Sequence, residues 1–191
     1  VVVLSCSSTA AMEAVSRGVV RPGRRVLHLT NGNFSRLWWE LSVACGYDAV
    51  NAELPWGQGW NEERTAAELK KHGALDAVMI THCETSTGAL SDVAGIVRAV
   101  RAAQPEALVC DDVTSTAGGV RVDFDAVGLD VAVGGVQKCF ALPPALALGA
   151  LSARAKARMA ANAGRGWTND FLSALQFQDQ HRQTSTTPSI P

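Results

Sequence analysis

Short β-branched runs alternate along the chain with stretches whose apolar residues recur at helical spacing. The opening VVVLS (1–5) reads as a buried strand, and TAAMEAVSRGV (9–19) as a helix. PGRRVLHLT (22–30) is a turn running into a strand. FSRLWWELSVAC (34–45) has helical period and stops at Gly46, a residue suited to the position just past a helix end. YDAVNAEL predicts a strand, and NEERTAAELKKHG a polar helix capped by Asn61. ALDAVMITH (74–82) predicts a strand, and DVAGIVRAVRAAQP (92–105) a helix closed by Pro105. ALVCDD (107–112), LDVAVGG (129–135) and LALGALS (146–152) are further strands, and ARAKARMAANAG is a surface helix.

Strands that are apolar on both faces, separated by helices, imply an α/β fold with a parallel sheet. The 191 residues suit one domain with a sizeable core. That domain is expected over 1–180, with the polar stretch 181–191 as a tail leading elsewhere. The chain opens directly on a strand at Val1 and ends in TTPSIP, so it is expected to belong to something longer. A net charge of -1 without a Lys/Arg-rich run argues against nucleic-acid binding. The apolar runs are too short to span a bilayer, and VVVLS lacks the basic flank of a signal peptide. Five scattered cysteines without a CxxC pair suggest neither a disulfide framework nor a metal site, and point to reduced thiols in the cytoplasm.

In open α/β sheets, ligands bind beyond the carboxyl ends of the strands. The segments there are polar: SCSST (5–9), TNGNFSR (30–36), THCETSTG (81–88), DDVTSTAGG (111–119) and GGVQK (134–138). The hydroxyls of SCSST at a strand-to-helix junction suit either an anion such as phosphate or plain capping by Ser7 or Ser8. Asp111 and Asp112 end a strand and point to opposite faces, so one of them can meet a ring nitrogen in a given site. Lys138 lies in the apolar run VGGVQKCFALPPA, which is expected to desolvate its amine. Such a lysine is either a Schiff-base nucleophile or a side chain snorkelling from a strand end. A phosphate cup, an acid for a ring nitrogen and an amine for an aldehyde are together what pyridoxal 5′-phosphate requires.

The order and spacing of these motifs resemble the class V aminotransferases of fold type I, of the alanine–glyoxylate and serine–pyruvate kind. SCSSTAAMEA resembles the family's SGSGxxAMEA loop, and NGNFSR its NGxFGxR. HCETSTG, DVTSTAGG and VQKCFALPPALAL resemble three further family motifs, and the resemblance covers essentially the whole chain. It implies a mainly parallel, mixed sheet flanked by helices. By position it makes Lys138 the Schiff-base lysine and the base acting at the substrate α-carbon. It selects Asp112 for the pyridine nitrogen, Thr114 to pack under the ring, Phe34 to stack on its other face, and Thr85 to lie near the ring hydroxyl. Ser7, Ser8, Thr9 and Gln137 would hold the phosphate, and Thr187 the phosphate of a partner subunit, since the family's sites form in homodimers. The implied reaction moves an amino group from a small amino acid to a 2-oxo acid such as pyruvate or glyoxylate. Two alternatives stand beside it. One is 2-aminoethylphosphonate–pyruvate aminotransferase or another class V activity, of lyase or desulfurase type. The other is a catalytically incomplete cofactor-binding or assembly module. Cys6 and Ser8 replace glycines of the family loop, and Ala145 stands where Pro-Pro is usually followed by Gly.

Overall fold

The structure, a computed structural model, describes residues 1–180. The chain order is β1 (Val2–Leu4), α1 (Ser8–Val19), β2 (Arg25–Thr30), α2 (Asn33–Ala44), β3 (Asp48–Glu53) and α3 (Glu62–Leu69). It continues through β4 (Ala77–Thr81), a small hairpin of β5 (Cys83–Glu84) and β6 (Ala89–Leu90), α4 (Val93–Ala103) and β7 (Leu108–Asp112). The last elements are α5 (Phe124–Val127), β8 (Val131–Gly135), β9 (Ala147–Leu151), α6 (Ala153–Ala160) and α7 (Phe171–Asp179).

Seven strands form one sheet in the order β1-β9-β8-β7-β4-β2-β3. The five from β8 to β3 pair in parallel. β9 is antiparallel to β8 and to β1, so it is the one strand of this sheet that runs the other way. The mainly parallel, mixed sheet implied by the family resemblance is therefore present.

Both faces of the central strands are covered, which is why they read as unbroken apolar runs. Along β4, Ala77 and Met79 join the core under α1, α2, α6 and α7, together with Val15, Trp38 and Phe171. Val78 and Ile80 join the opposite core, with Leu27, Ile96, Val100 and Leu129. Helix starts follow local chemistry: the side chains of Ser7, Asn61, Asp92, Ser152 and Asp170 each accept a first-turn N–H. Beyond α2, Gly46 takes φ 82, the left-handed conformation expected of it.

Two readings change. VVVLS is not buried throughout: Val2 and Leu4 are buried while Val1 and Val3 are exposed, because β1 is an edge strand packed on one face. Trp38 is fully buried, and its indole N–H reaches Met12 O and Ser16 Oγ. The α5 and α7 helices have no counterpart in the sequence pattern. Phe171 of α7 packs where a side chain on Gly149 would sit. The proposed tail at 181–191 lies outside the described residues.

Candidate active site

The sheet brings the carboxyl ends of β1, β2, β4, β7 and β8 together. One cleft there is lined by Ser8 and Thr9 from α1, Phe34 from α2, Thr85 after β5, Asp112 and Thr114 from the end of β7, and Gln137 and Lys138 after β8. These eight are sequence-predicted site residues drawn from five separate motifs. Ser7 is not in the lining; its hydroxyl caps α1 by accepting from Ala10 N at 3.1 Å. Thr187 lies outside the described residues. The lining also includes Met12, Leu37, Cys83 and Ser115. Met12 is four residues past Ser8 and Leu37 three past Phe34, so helical spacing alone places each beside a predicted residue.

Asp112 is buried, and its carboxylate accepts from Thr114 N at 3.0 Å and from Thr114 Oγ1. Burial pushes the carboxyl up to about 6, against the pull of those two hydrogen bonds. The hydroxyl of Thr114 also accepts from Gly135 N at 3.3 Å. It thus ties β7 to β8 and fixes the carboxylate's orientation. Asp111 takes the other face of the strand, as the alternation of neighbouring residues requires.

At the start of α1, the Ser8 hydroxyl oxygen is buried and has no hydrogen-bond partner. A side chain at Gly135 would run into Ser8 Oγ and Gln137 Oε1, so only glycine leaves the hollow between them. The hollow lies at a helix N-terminus, where unpaired N–H groups and the helix dipole favour an anion.

Phe34 is placed by a device that sequence reasoning missed. Glu84 of the HCETSTG motif is fully buried. One carboxylate oxygen accepts from Phe34 N and Ser35 N, both at 2.9 Å, and from Ser35 Oγ at 3.0 Å. The other accepts from Ser86 N and Ser86 Oγ. Glu84 therefore caps α2 from outside, in place of the side chain that Gly32 lacks, and its charge complements the helix dipole. A Cβ at Gly32 would collide with the Glu84 side chain. The signal lay in the pairing of a glycine at the cap position with an acid in a separate motif.

The expected desolvation of Lys138 is not found. Lys138 is exposed, as are Phe140 and Leu142, because this loop runs off the end of β8 with no layer of described residues above it. Lys138 Nζ lies 6.0 Å from the centre of the Phe34 ring. Ala141 closes a turn onto Lys138 O at 2.9 Å and takes φ 52, a conformation that disfavours side chains other than glycine. Among the described residues no group of three or more His, Cys, Asp or Glu gathers to hold a metal, and the five cysteines are free.

The fold and this cleft together define a fold type I transferase, and comparison with known proteins gives the same class. The aminotransferase class-V family model matches residues 1–190, and the chain belongs to that family. It is 37% identical over 151 residues to the L-aspartate–glyoxylate aminotransferase of Paracoccus denitrificans, covering 78% of this chain and 38% of the relative. It is 33% identical over 194 residues to the serine–glyoxylate aminotransferase of Methylorubrum extorquens, covering 97% and 48%. Among solved structures, the subgroup IV aspartate aminotransferase of Thermus thermophilus superposes with TM-score 0.88 at 32% identity, covering 98% of this chain and 51% of that one. The alanine–glyoxylate aminotransferase of Nostoc sp. gives 0.90 at 27%, covering 98% and 50%. The chain thus spans about half or less of the length of these relatives.

Proposed function

We propose that this chain is the cofactor-binding part of a pyridoxal 5′-phosphate-dependent aminotransferase. It moves an amino group from a small amino acid to a 2-oxo acid of the pyruvate or glyoxylate type. One observation carries the reading: a lysine amine, a buried carboxylate and an orphaned hydroxyl at a helix N-terminus share one cleft. The glyoxylate aminotransferases among the relatives support the acceptor class.

The residues present fit the cofactor. The unpartnered Ser8 hydroxyl, Thr9, the α1 N-terminus and Gln137 bind the phosphate in the hollow that Gly135 leaves open. Ser7 serves through its cap, by holding that helix start in place. The Asp112 carboxylate, oriented by Thr114, holds a proton at the ring nitrogen. Phe34 would cover one ring face, Thr114 would support the other, and Thr85 would meet the ring hydroxyl. When bound, the cofactor supplies an aldehyde that condenses with amines and a ring that accepts electron density from the α-carbon. The Lys138 amine would hold the cofactor, and in turnover it would take and return the substrate α-proton.

The unit is a homodimer in this reading. Phe34, Leu90, Phe140 and Leu142 expose apolar surface, and Phe34 and Lys138, beside Phe140, line the cleft. The free cysteines fit the reducing cytoplasm. No helix among the described residues is long and apolar enough to cross a membrane.

The test is cofactor uptake followed by borohydride reduction and peptide mapping. The cofactor mass is expected on Lys138 and absent from Lys138→Ala. A folded chain that retains no cofactor, or equal labelling of the variant, overturns the reading. Uptake without amino-group transfer from serine, alanine or aspartate to glyoxylate or pyruvate identifies the incomplete module instead.

A further inference from the structure

β7 ends in two carboxylates, and the cleft uses one of them. Asp111 faces away from the cleft and is fully buried. Neither of its oxygens has a hydrogen-bond partner of good geometry. The titratable group beside it is His82, whose Nδ1 stands 3.1 Å from Asp111 Oδ2. Val109, two residues earlier on the same face, is an ordinary core residue. A hydrophobe at 111 would avoid the cost of burying a carboxylate whose polar support comes from His82. The His82 side chain remains 12% exposed, which gives the pair a route for proton exchange with water.

The two acids act on each other. For Asp111, burial raises the carboxyl and His82 opposes it. For Asp112, burial raises the carboxyl, the Thr114 hydrogen bonds oppose it, and the charges of Asp111 and Glu84 raise it further. The thiol of Cys110, which precedes both acids on β7, also feels Asp111.

We propose that Asp111 and His82 are a positioning pair that shares one proton behind β7 and thereby sets the charge environment of Asp112. Resting on the cofactor reading above, ring-nitrogen protonation of the bound cofactor and protonation of His82 are then linked. With its proton, the pair is neutral. Without it, a second negative charge stands behind Asp112; this opposes ionisation of Asp112 in the empty site and favours a proton on a ring nitrogen held there. By reciprocity, a protonated ring at Asp112 favours release of the pair's proton.

The experiment follows the Asp112 carboxyl and the His82 ring by NMR across pH in the full chain, first without cofactor. In the wild type the two groups are expected to titrate as a coupled set. In Asp111→Asn the Asp112 midpoint is expected to fall, because the Asp111 charge that raises it is removed. A folded Asp111→Asn with the Asp112 midpoint unmoved overturns the pair. If that variant does not fold, independent titration of Asp112 and His82 in the wild type overturns it equally. Cofactor loading is then expected to move the His82 midpoint to lower pH. An unmoved His82 in a chain carrying cofactor on Lys138 overturns the linkage. A folded chain that takes up no cofactor overturns the cofactor reading, while the cofactor-free titrations still decide the pair.

Discussion

Replacing Asp112 by asparagine separates what this residue costs the fold from what it gives a ligand. Burial raises its carboxyl from 3.8 to about 6 in the folded chain. Each pH unit of difference between folded and unfolded states is worth about 1.4 kcal/mol, so holding Asp112 ionised costs the fold about 3 kcal/mol at pH well above both values. Between about pH 4 and pH 6 the native state keeps a proton that the unfolded chain has lost. This group therefore lowers the unfolding free energy as pH rises through that window, and changes little above it. Asparagine keeps the shape, and its carbonyl can still accept from Thr114 N and Oγ1. In cofactor-free protein, Asp112→Asn is expected to be near neutral at about pH 4 and stabilising by about 2–3 kcal/mol at about pH 8. Urea unfolding followed by fluorescence of the five tryptophans measures it at both pH values. A variant-to-wild-type difference that is the same at both would refute the reasoning. The same variant is expected to release cofactor more readily, the opposition between stability and function that strained sites show.

Three further substitutions probe the supports of the site and the opposite end of the sheet. Glu84→Gln removes the charge that caps α2 and is expected to cost about 1–3 kcal/mol in urea unfolding, because five N–H or O–H donors lose an ionised acceptor. Gly32→Ala is expected to act in the same direction, since its Cβ displaces that carboxylate; a wild-type melt from either variant would contradict the cap. Asp76 is buried and bonded by Arg21 and Arg24, with Arg158 3.6 Å away. Burial alone would raise its carboxyl, but the arginines hold it below the ordinary value. Its contribution is therefore complete above about pH 4 and lost as pH falls below that. Asp76→Asn is expected to cost about 2–3 kcal/mol at neutral pH, moderated by the half-exposed arginines, and to flatten the acid limb of stability. An unchanged acid limb would count against this assignment.

The central strands were legible because burial on both faces leaves an apolar run that no polar pattern interrupts, as at 77–81 and 107–112. The lining of the cleft was legible because it follows strand ends, where polar motifs stand out against those runs. The order of strands was not, since nothing local states that β1 pairs with β9 some 145 residues later, as Val2 does with Gly149. α5 is a single turn of four residues, too short for a period to show. Glu84 escaped because its burial depends on a helix fifty residues earlier. The exposure of Lys138 escaped because an apolar neighbourhood in sequence is not one in space: Phe140 and Leu142 point away from the core.

The position of β1 has a consequence for the order in which the chain assembles. β1 is a three-residue edge strand whose one partner in the sheet is β9, near the other end of the described chain. The parallel block from β3 to β8 can form without it, whereas closing so long a loop comes late and slowly. The phosphate hollow needs Ser8 and Gly135 face to face, so it exists only once α1, which follows β1, has docked on β8. A nascent or partly refolded chain would hold its lysine and its buried acid in place yet have no grip on an anion. Anion affinity then measures completion of the fold, and the ligand stabilises the last contact to form more than the core beneath it.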